Sequence, residues 1–205
     1  MLELTKATEP TDVIQILRPI LQPIYEALEV SVPEAYAIIK EYGWASPSLP
    51  SHIVRASAKL NLDGRACPVE FDDGERIVNM EAVANDGLST VFEGITIKIW
   101  KGRSLPRAHT DSRKSFYQHT QNGLWVSDGP PPILSLIVFW DCDSEGGNLR
   151  LWLCCPKNSR GHYIWFESIP HPSSWMVVNK PENEKVDDFD DLLGDERKDG
   201  IKKVN

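Results

Sequence analysis

Three apolar runs of strand length, residues 133–140, 149–155 and 163–169, follow one another across short polar turns at 143–147 and 157–161. This punctuation limits the fold more than any other feature. Strands separated by so few residues must return antiparallel, because a parallel neighbour needs a crossover of a dozen residues or more. The spacing therefore predicts a three-stranded meander. Its first run, ILSLIVFW, reads as one continuous apolar strand, in a sheet expected to be covered on one face by the N-terminal helices. Upstream, Ile95, Ile97 and Ile99 alternate with Thr96, Lys98 and Trp100 behind a tight Glu93-Gly94 turn, and residues 88–92 supply a partner strand. That pattern predicts a hairpin.

Nearer the N-terminus the period changes from two to that of a helix. Val13, Ile16, Leu17, Ile20, Ile24, Leu28, Ala35, Ile38 and Ile39 recur at helical spacing, which predicts two helices between Asp12 and Gly43. Thr11 or Asp12 caps the first, and Pro19 and Pro23 kink or split it. Ser31 and Glu34 form a capping box for the second, with Pro33 in its first turn and Gly43 as its stop. A loop over 44–51 leads to a shorter helix over 52–60, and another short helix is expected over 111–118. Residues 64–86 contain turn signals at Asp72-Asp73-Gly74 and Asn85-Asp86-Gly87 without a clear period. The expected fold class is α+β, with N-terminal helices packed on a largely antiparallel sheet of about five strands.

A chain of 205 residues can bury a sizeable core, to which seven Trp and six Phe contribute apolar area. A single α+β domain is expected over 1–180. Residues 181–205 differ in character: nine acids stand against five bases, a local charge of −4 out of −8 for the whole chain. So charged and short a piece buries too little apolar area to order itself, which predicts a flexible acidic tail. Within it, Val186, Phe189, Leu192 and Leu193 would share one face of a helix, a pattern suited to a partner's groove.

The net charge of −8 argues against general affinity for nucleic acid or an anionic membrane. The first ten residues do not read as a signal peptide, and no run approaches the roughly 20 apolar residues of a membrane span. The four cysteines, Cys67, Cys142, Cys154 and Cys155, form no CxxC pair. Reduced thiols and a cytoplasmic location are expected, with no membrane association.

Several groups invite a chemical reading. Asp141-Cys142-Asp143-Ser144-Glu145-Gly146 matches the start of a calcium-binding EF-hand loop, but the twelfth position is Trp152 and the segment joins strands, so a polar hairpin turn is the expectation. Pairing the meander about Glu145 sets Cys154 opposite Leu136, far from Cys142, while Cys154 and Cys155 point to opposite faces. Neither a metal nor a cofactor is expected. Residues 98–119 carry six bases against Asp111, with Trp100, Phe116 and Tyr117 interleaved, a composition that fits a nucleic-acid backbone. Within this stretch Arg107, His109, Asp111, Arg113, Lys114, Tyr117 and His119 are the densest group of reactive side chains, and they suit phosphate binding or general base chemistry. No HExxH, GxSxG, Walker loop or GxGxxG occurs, and Thr96 stands where a restriction-type nuclease would place an acid before Lys98. An enzyme is the less favoured expectation.

The segments KGRSLP at 101–106, SRKSFYQ at 112–118, WDCD at 140–143, CPK at 155–157 and PHP at 170–172 resemble a family of uncharacterised bacterial proteins frequent in actinobacteria. The likeness covers about half the chain. It implies no established activity. The placing of such relatives beside regulator and toxin–antitoxin-like genes implies a protein-binding role. Taken together, the expectation is a cytoplasmic protein-binding or regulatory protein of antitoxin or inhibitor type. The alternative is a nucleotide- or nucleic-acid-acting protein using residues 109–119.

Overall fold

The computed structural model describes residues 9–43, 46, 48–71, 74–83, 88–92, 95–102, 116, 134–157 and 162–175. The chain divides into two units, Met1–Pro172 and Ser173–Asn205. In the second, only the rest of a helical turn over Pro172–Trp175 is described.

Three helices open the first unit: α1 (Pro10–Ile16), α2 (Arg18–Tyr42) and α3 (Leu49–Leu62). At the start of α1 the Asp12 carboxylate accepts the N–H of Glu9 at 3.2 Å, so the cap lies one turn earlier than the sequence suggests. The expected split falls at Leu17, two residues before Pro19, which then occupies the first turn of α2 where a missing N–H costs nothing.

From there the structure departs from the sequence reading. Instead of ending before Ser31, α2 continues for 25 residues through both Pro23 and Pro33. Each proline removes a backbone hydrogen bond, a cost of about 3 kcal/mol in a helix interior. Against this stands an unbroken buried stripe of Ile20, Leu21, Ile24, Ala27, Leu28, Val32 and Ala35, which continuous helix keeps on one face. Burying one such large side chain contributes about 1.5–3 kcal/mol, so packing outweighs local punctuation. Ser31 is accordingly no cap: it is fully buried and its hydroxyl donates to Ser57 on α3 at 3.0 Å. Gly43, at φ +65°, ends the helix as expected, because its left-handed backbone lets its N–H reach the carbonyls of Ile39 and Lys40.

The region without a clear period supplies three strands. Strands β1 (Ala66–Phe71) and β2 (Gly74–Asn79) pair as a two-stranded antiparallel hairpin. After Met80 the chain enters a six-stranded sheet as β3 (Glu81–Val83), followed by β4 (Leu88–Phe92), β5 (Ile95–Lys101), β6 (Leu134–Asp141), β7 (Arg150–Pro156) and β8 (Tyr163–Ile169). Their order is β3-β4-β5-β6-β7-β8. The predicted hairpin and meander are both present, and the fold is α+β with six strands in the main sheet where about five were expected.

What joins hairpin to meander is a parallel pairing of β5 with β6, Ile95 facing Leu134 and Lys101 facing Trp140. The connection from Lys101 must therefore return the length of both strands, about 20 Å, before β6 begins. Of the helix expected over 111–118, only Phe116 is described.

The sheet is apolar on both faces. One carries Ala82, Leu88, Ile97, Ile99, Leu136, Val138, Leu151, Leu153 and Cys155, all buried, with α3 packed against β3 and α1 against β8. The other carries Ile137, Phe139 and Cys154, covered by Phe116 and flanked by Trp100, Trp152, Tyr163 and Phe166. Residues 135–140 of β6 are buried throughout, as a centrally placed strand without alternation requires.

Candidate functional site

Arg107, His109, Asp111, Arg113, Lys114, Tyr117 and His119 lie outside the described residues, as do Val186, Phe189, Leu192 and Leu193. The start of the basic segment is described, and it is not a free surface. Lys98 is only 8 % exposed, and its ammonium stands 4.6 Å from the ring centre of Phe116 and 5.8 Å from that of Trp100. A cation against ring faces in a desolvated place contributes about 2 kcal/mol. Phe116 itself belongs to the core on this face of the sheet. Lys98 and Phe116, which by composition suit a nucleic-acid platform, are thus withdrawn into the interior. Parallel β5 and β6 carry this out, since their alternation turns Lys98 toward the same face as Ile137 and Phe139.

Three reactive side chains from distant parts of the sequence meet at the carboxyl ends of β5 and β6. The Lys101 ammonium donates to the Tyr36 hydroxyl at 2.9 Å and lies over the rings of Tyr36 and Trp140, at 5.3 and 5.4 Å. Burial, and then the Cys142 thiol beside it, push the Tyr36 hydroxyl above its usual range, while Lys101 pulls the other way. Carboxyl ends of parallel strands are where open sheets often form ligand crevices. Here the cation and the phenol hold each other, tying α2 to the sheet. The adjoining turn is packed as closely: a Cβ on Gly146, which sits at φ +82°, would meet the Tyr36 ring at 2.9 Å.

That turn is the segment resembling an EF-hand start. The Asp143 carboxylate accepts the backbone N–H groups of Glu145 and Gly147, at 3.0 and 2.7 Å, and the side-chain amide of Asn148 at 2.8 Å. These hydrogen bonds, Gly147 first, hold its carboxyl below the usual carboxylate range. Trp152, at the twelfth position, stacks on Phe166 at 6.1 Å instead of pointing at the loop. Among the described residues no three His, Cys, Asp or Glu side chains gather in a metal-binding arrangement.

The cysteines stay apart. Cys154 faces Ile137, one residue from the expected Leu136, and lies on the aromatic face, whereas Cys155 lies on the helical face. Burial pushes the Cys155 thiol up to about 12 and that of Cys154 upward as well, so neither is a nucleophile near neutral pH. In the PHP segment, His171 Nε2 contacts the Glu29 carboxylate at 2.9 Å and its ring meets Tyr25 edge-on at 5.0 Å. Tyr25 in turn donates to the carbonyl of Leu149 at 3.2 Å, so the chain after β8 is fastened to α2 and the meander.

The feature with the plainest outward character is the β1–β2 hairpin. On β1, Cys67 and Val69 face inward and are buried. On β2 every residue is exposed or half-exposed, and Ile77, paired with Pro68, is 71 % exposed. Among the described residues no strand pairs with the outer edge of β2. Alternation in GERIVN was a weak signal for this strand, since its apolar residues are adjacent. Comparison of the chain with models of protein families, with curated proteins and with solved structures found no match.

Proposed function

We propose that this is a cytoplasmic protein-binding regulatory protein of antitoxin or inhibitor type, which holds its partner through the β1–β2 hairpin and engages it further through residues 181–205. The observation that carries the reading is Ile77. Natural proteins guard open strand edges with charge, proline or brevity, because unpaired N–H and C=O groups recruit other chains. Strand β2 carries charge at Glu75 and Arg76, but directly beside them stands Ile77, a β-branched apolar side chain 71 % exposed. An extended segment of a partner can add to such an edge through main-chain hydrogen bonds while its side chains meet Ile77 and Pro68. The withdrawal of Lys98 and Phe116 into the core supports this reading over nucleic-acid binding through the basic segment.

Tagged protein recovered from its native host, with the co-purifying chain identified by mass spectrometry and reconstituted from pure components, tests the proposal. Ile77→Lys places a charge on an exposed position and should lower affinity at least about tenfold, or 1.4 kcal/mol, without altering the fold. Removal of residues 181–205 should weaken the same complex. Unchanged affinity in Ile77→Lys would sink the hairpin as the docking element, and unchanged affinity after truncation would remove the tail.

A further inference from the structure

We infer that the partner of the hairpin, whose docking there is the reading proposed above, joins β2 as an antiparallel extended segment bonded to the main chain of Glu75, Ile77 and Asn79. That segment carries an apolar residue opposite Ile77, followed by an acid and then a base. The register of the hairpin decides which backbone groups are open. Only two residues separate Phe71 from Gly74, and the residues that close so short a loop exchange hydrogen bonds. Bonded and non-bonded pairs then alternate, so Val69 with Arg76 and Cys67 with Val78 are bonded, whereas Pro68 meets Ile77 in a non-bonded pair. Two further observations give the same phase. Pro68 has no N–H, and a strand accepts proline where that position faces away from its neighbour. Beyond the last pair, Ala66 with Asn79, the Met80 N–H donates to the Arg65 carbonyl at 2.9 Å, as the next bonded pair must. The N–H and C=O groups of Glu75, Ile77 and Asn79 therefore point away from β1, to the edge where no strand pairs among the described residues. The other edge of the hairpin is guarded, because Pro68 offers no donor there.

Charge selects the occupant. The side chains of Glu75, Ile77 and Asn79 share the exposed outer face, and Arg76 is exposed on the other. A second copy of β2 laid antiparallel about Ile77 would set Glu75 against Asn79 and Arg76 against Val78, leaving both charges without an opposite. A segment with an acid opposite Arg76 and a base opposite Glu75 matches both, and cross-strand pairs of opposite charge are stabilising. Its direction is antiparallel because that ladder is the more stable per residue.

In the free full chain, amide hydrogen exchange should be slower at Arg76 and Val78, whose N–H groups are bonded to β1, than at Glu75, Ile77 and Asn79; the reverse order overturns the register. Binding is read by the fluorescence anisotropy of a labelled synthetic peptide, TNVIEKT, whose isoleucine stands opposite Ile77, its glutamate opposite Arg76 and its lysine opposite Glu75. It should bind about tenfold more tightly than TNVIKET, in which the charges are exchanged. Glu75→Pro should bind TNVIEKT about fivefold more weakly than Glu75→Ala, since both lack the carboxylate and only proline lacks the outward N–H. The far-ultraviolet spectrum of Glu75→Pro should be unchanged, because β1 does not use that N–H; Asn79→Pro against Asn79→Ala serves where the first variant fails to fold. Equal binding of the two peptides, absence of binding included, or equal binding by the proline and alanine variants overturns the inference. A wild-type mass of twice 23.1 kDa that Glu75→Pro halves would make a second copy the occupant and overturn it as well. If the proline and alanine variants agree while Ile77→Lys still weakens the reconstituted complex, docking at the hairpin stands and only the main-chain register falls.

Discussion

Thr90 shows how a single residue can run against its surroundings. It lies between Ala82 and Ile97 on neighbouring strands, fully buried, and among the described residues its hydroxyl oxygen has no hydrogen-bond partner. A buried, unsatisfied hydroxyl costs about 1–3 kcal/mol. Valine has the same shape without that cost. Thr90→Val should therefore raise stability by about 1 kcal/mol, which for a domain of this size is a rise of about 2–4 °C in Tm, measured by thermal melting. A fall in Tm would show that the hydroxyl is satisfied in solution. At this scale the sequence was informative about types and mute about partners. It identified Asp143 as a loop-forming residue, yet Tyr36 and Cys142 are separated by more than a hundred residues and their meeting with Lys101 had no local signal.

Among the helices, α2 was the least legible, and its prolines are the reason. Periodicity correctly marked residues 12–43 as helical, but Ser31, Pro33 and Glu34 together spell a helix start that the structure does not use. Caps and propensities are worth about 1 kcal/mol each, less than the burial of a continuous apolar face. The mismatch leaves a measurable residue. Pro33 is exposed inside the helix, so Pro33→Ala restores a backbone hydrogen bond without disturbing packing, and denaturant unfolding should show a gain of about 1–3 kcal/mol. No gain would mean that the helix has already adapted its geometry to the proline. The meander was read correctly for the opposite reason: short polar turns, unlike isolated prolines, fix the direction of the following strand whatever surrounds them.

For the molecule as a whole, the distribution of thiols reports how completely the fold closes. Cys67, Cys154 and Cys155 are at most 1 % exposed, whereas Cys142 is half-buried beside Tyr36. A thiol reagent should add once to the native protein, at Cys142, and four times after denaturation, the three buried thiols reacting together at the rate of global opening. Mass spectrometry resolves the adducts. Early reaction at Cys154 would mean that the aromatic face opens separately from the helical face.

The sequence alone determined the class, the helical character of residues 12–43, the hairpin and the meander, because each of these is written in periods and turns only a few residues long. The joining of hairpin to meander was decided by tertiary structure: β5 and β6 are separated by more than thirty residues, and nothing local says that their Ile97 and Leu136 are neighbours. From that one parallel pairing follow the burial of Lys98 under Phe116 and the union of Lys101 with Tyr36. Short-range patterns select elements, but which strands lie side by side depends on burying two apolar faces at once, a property of the whole chain.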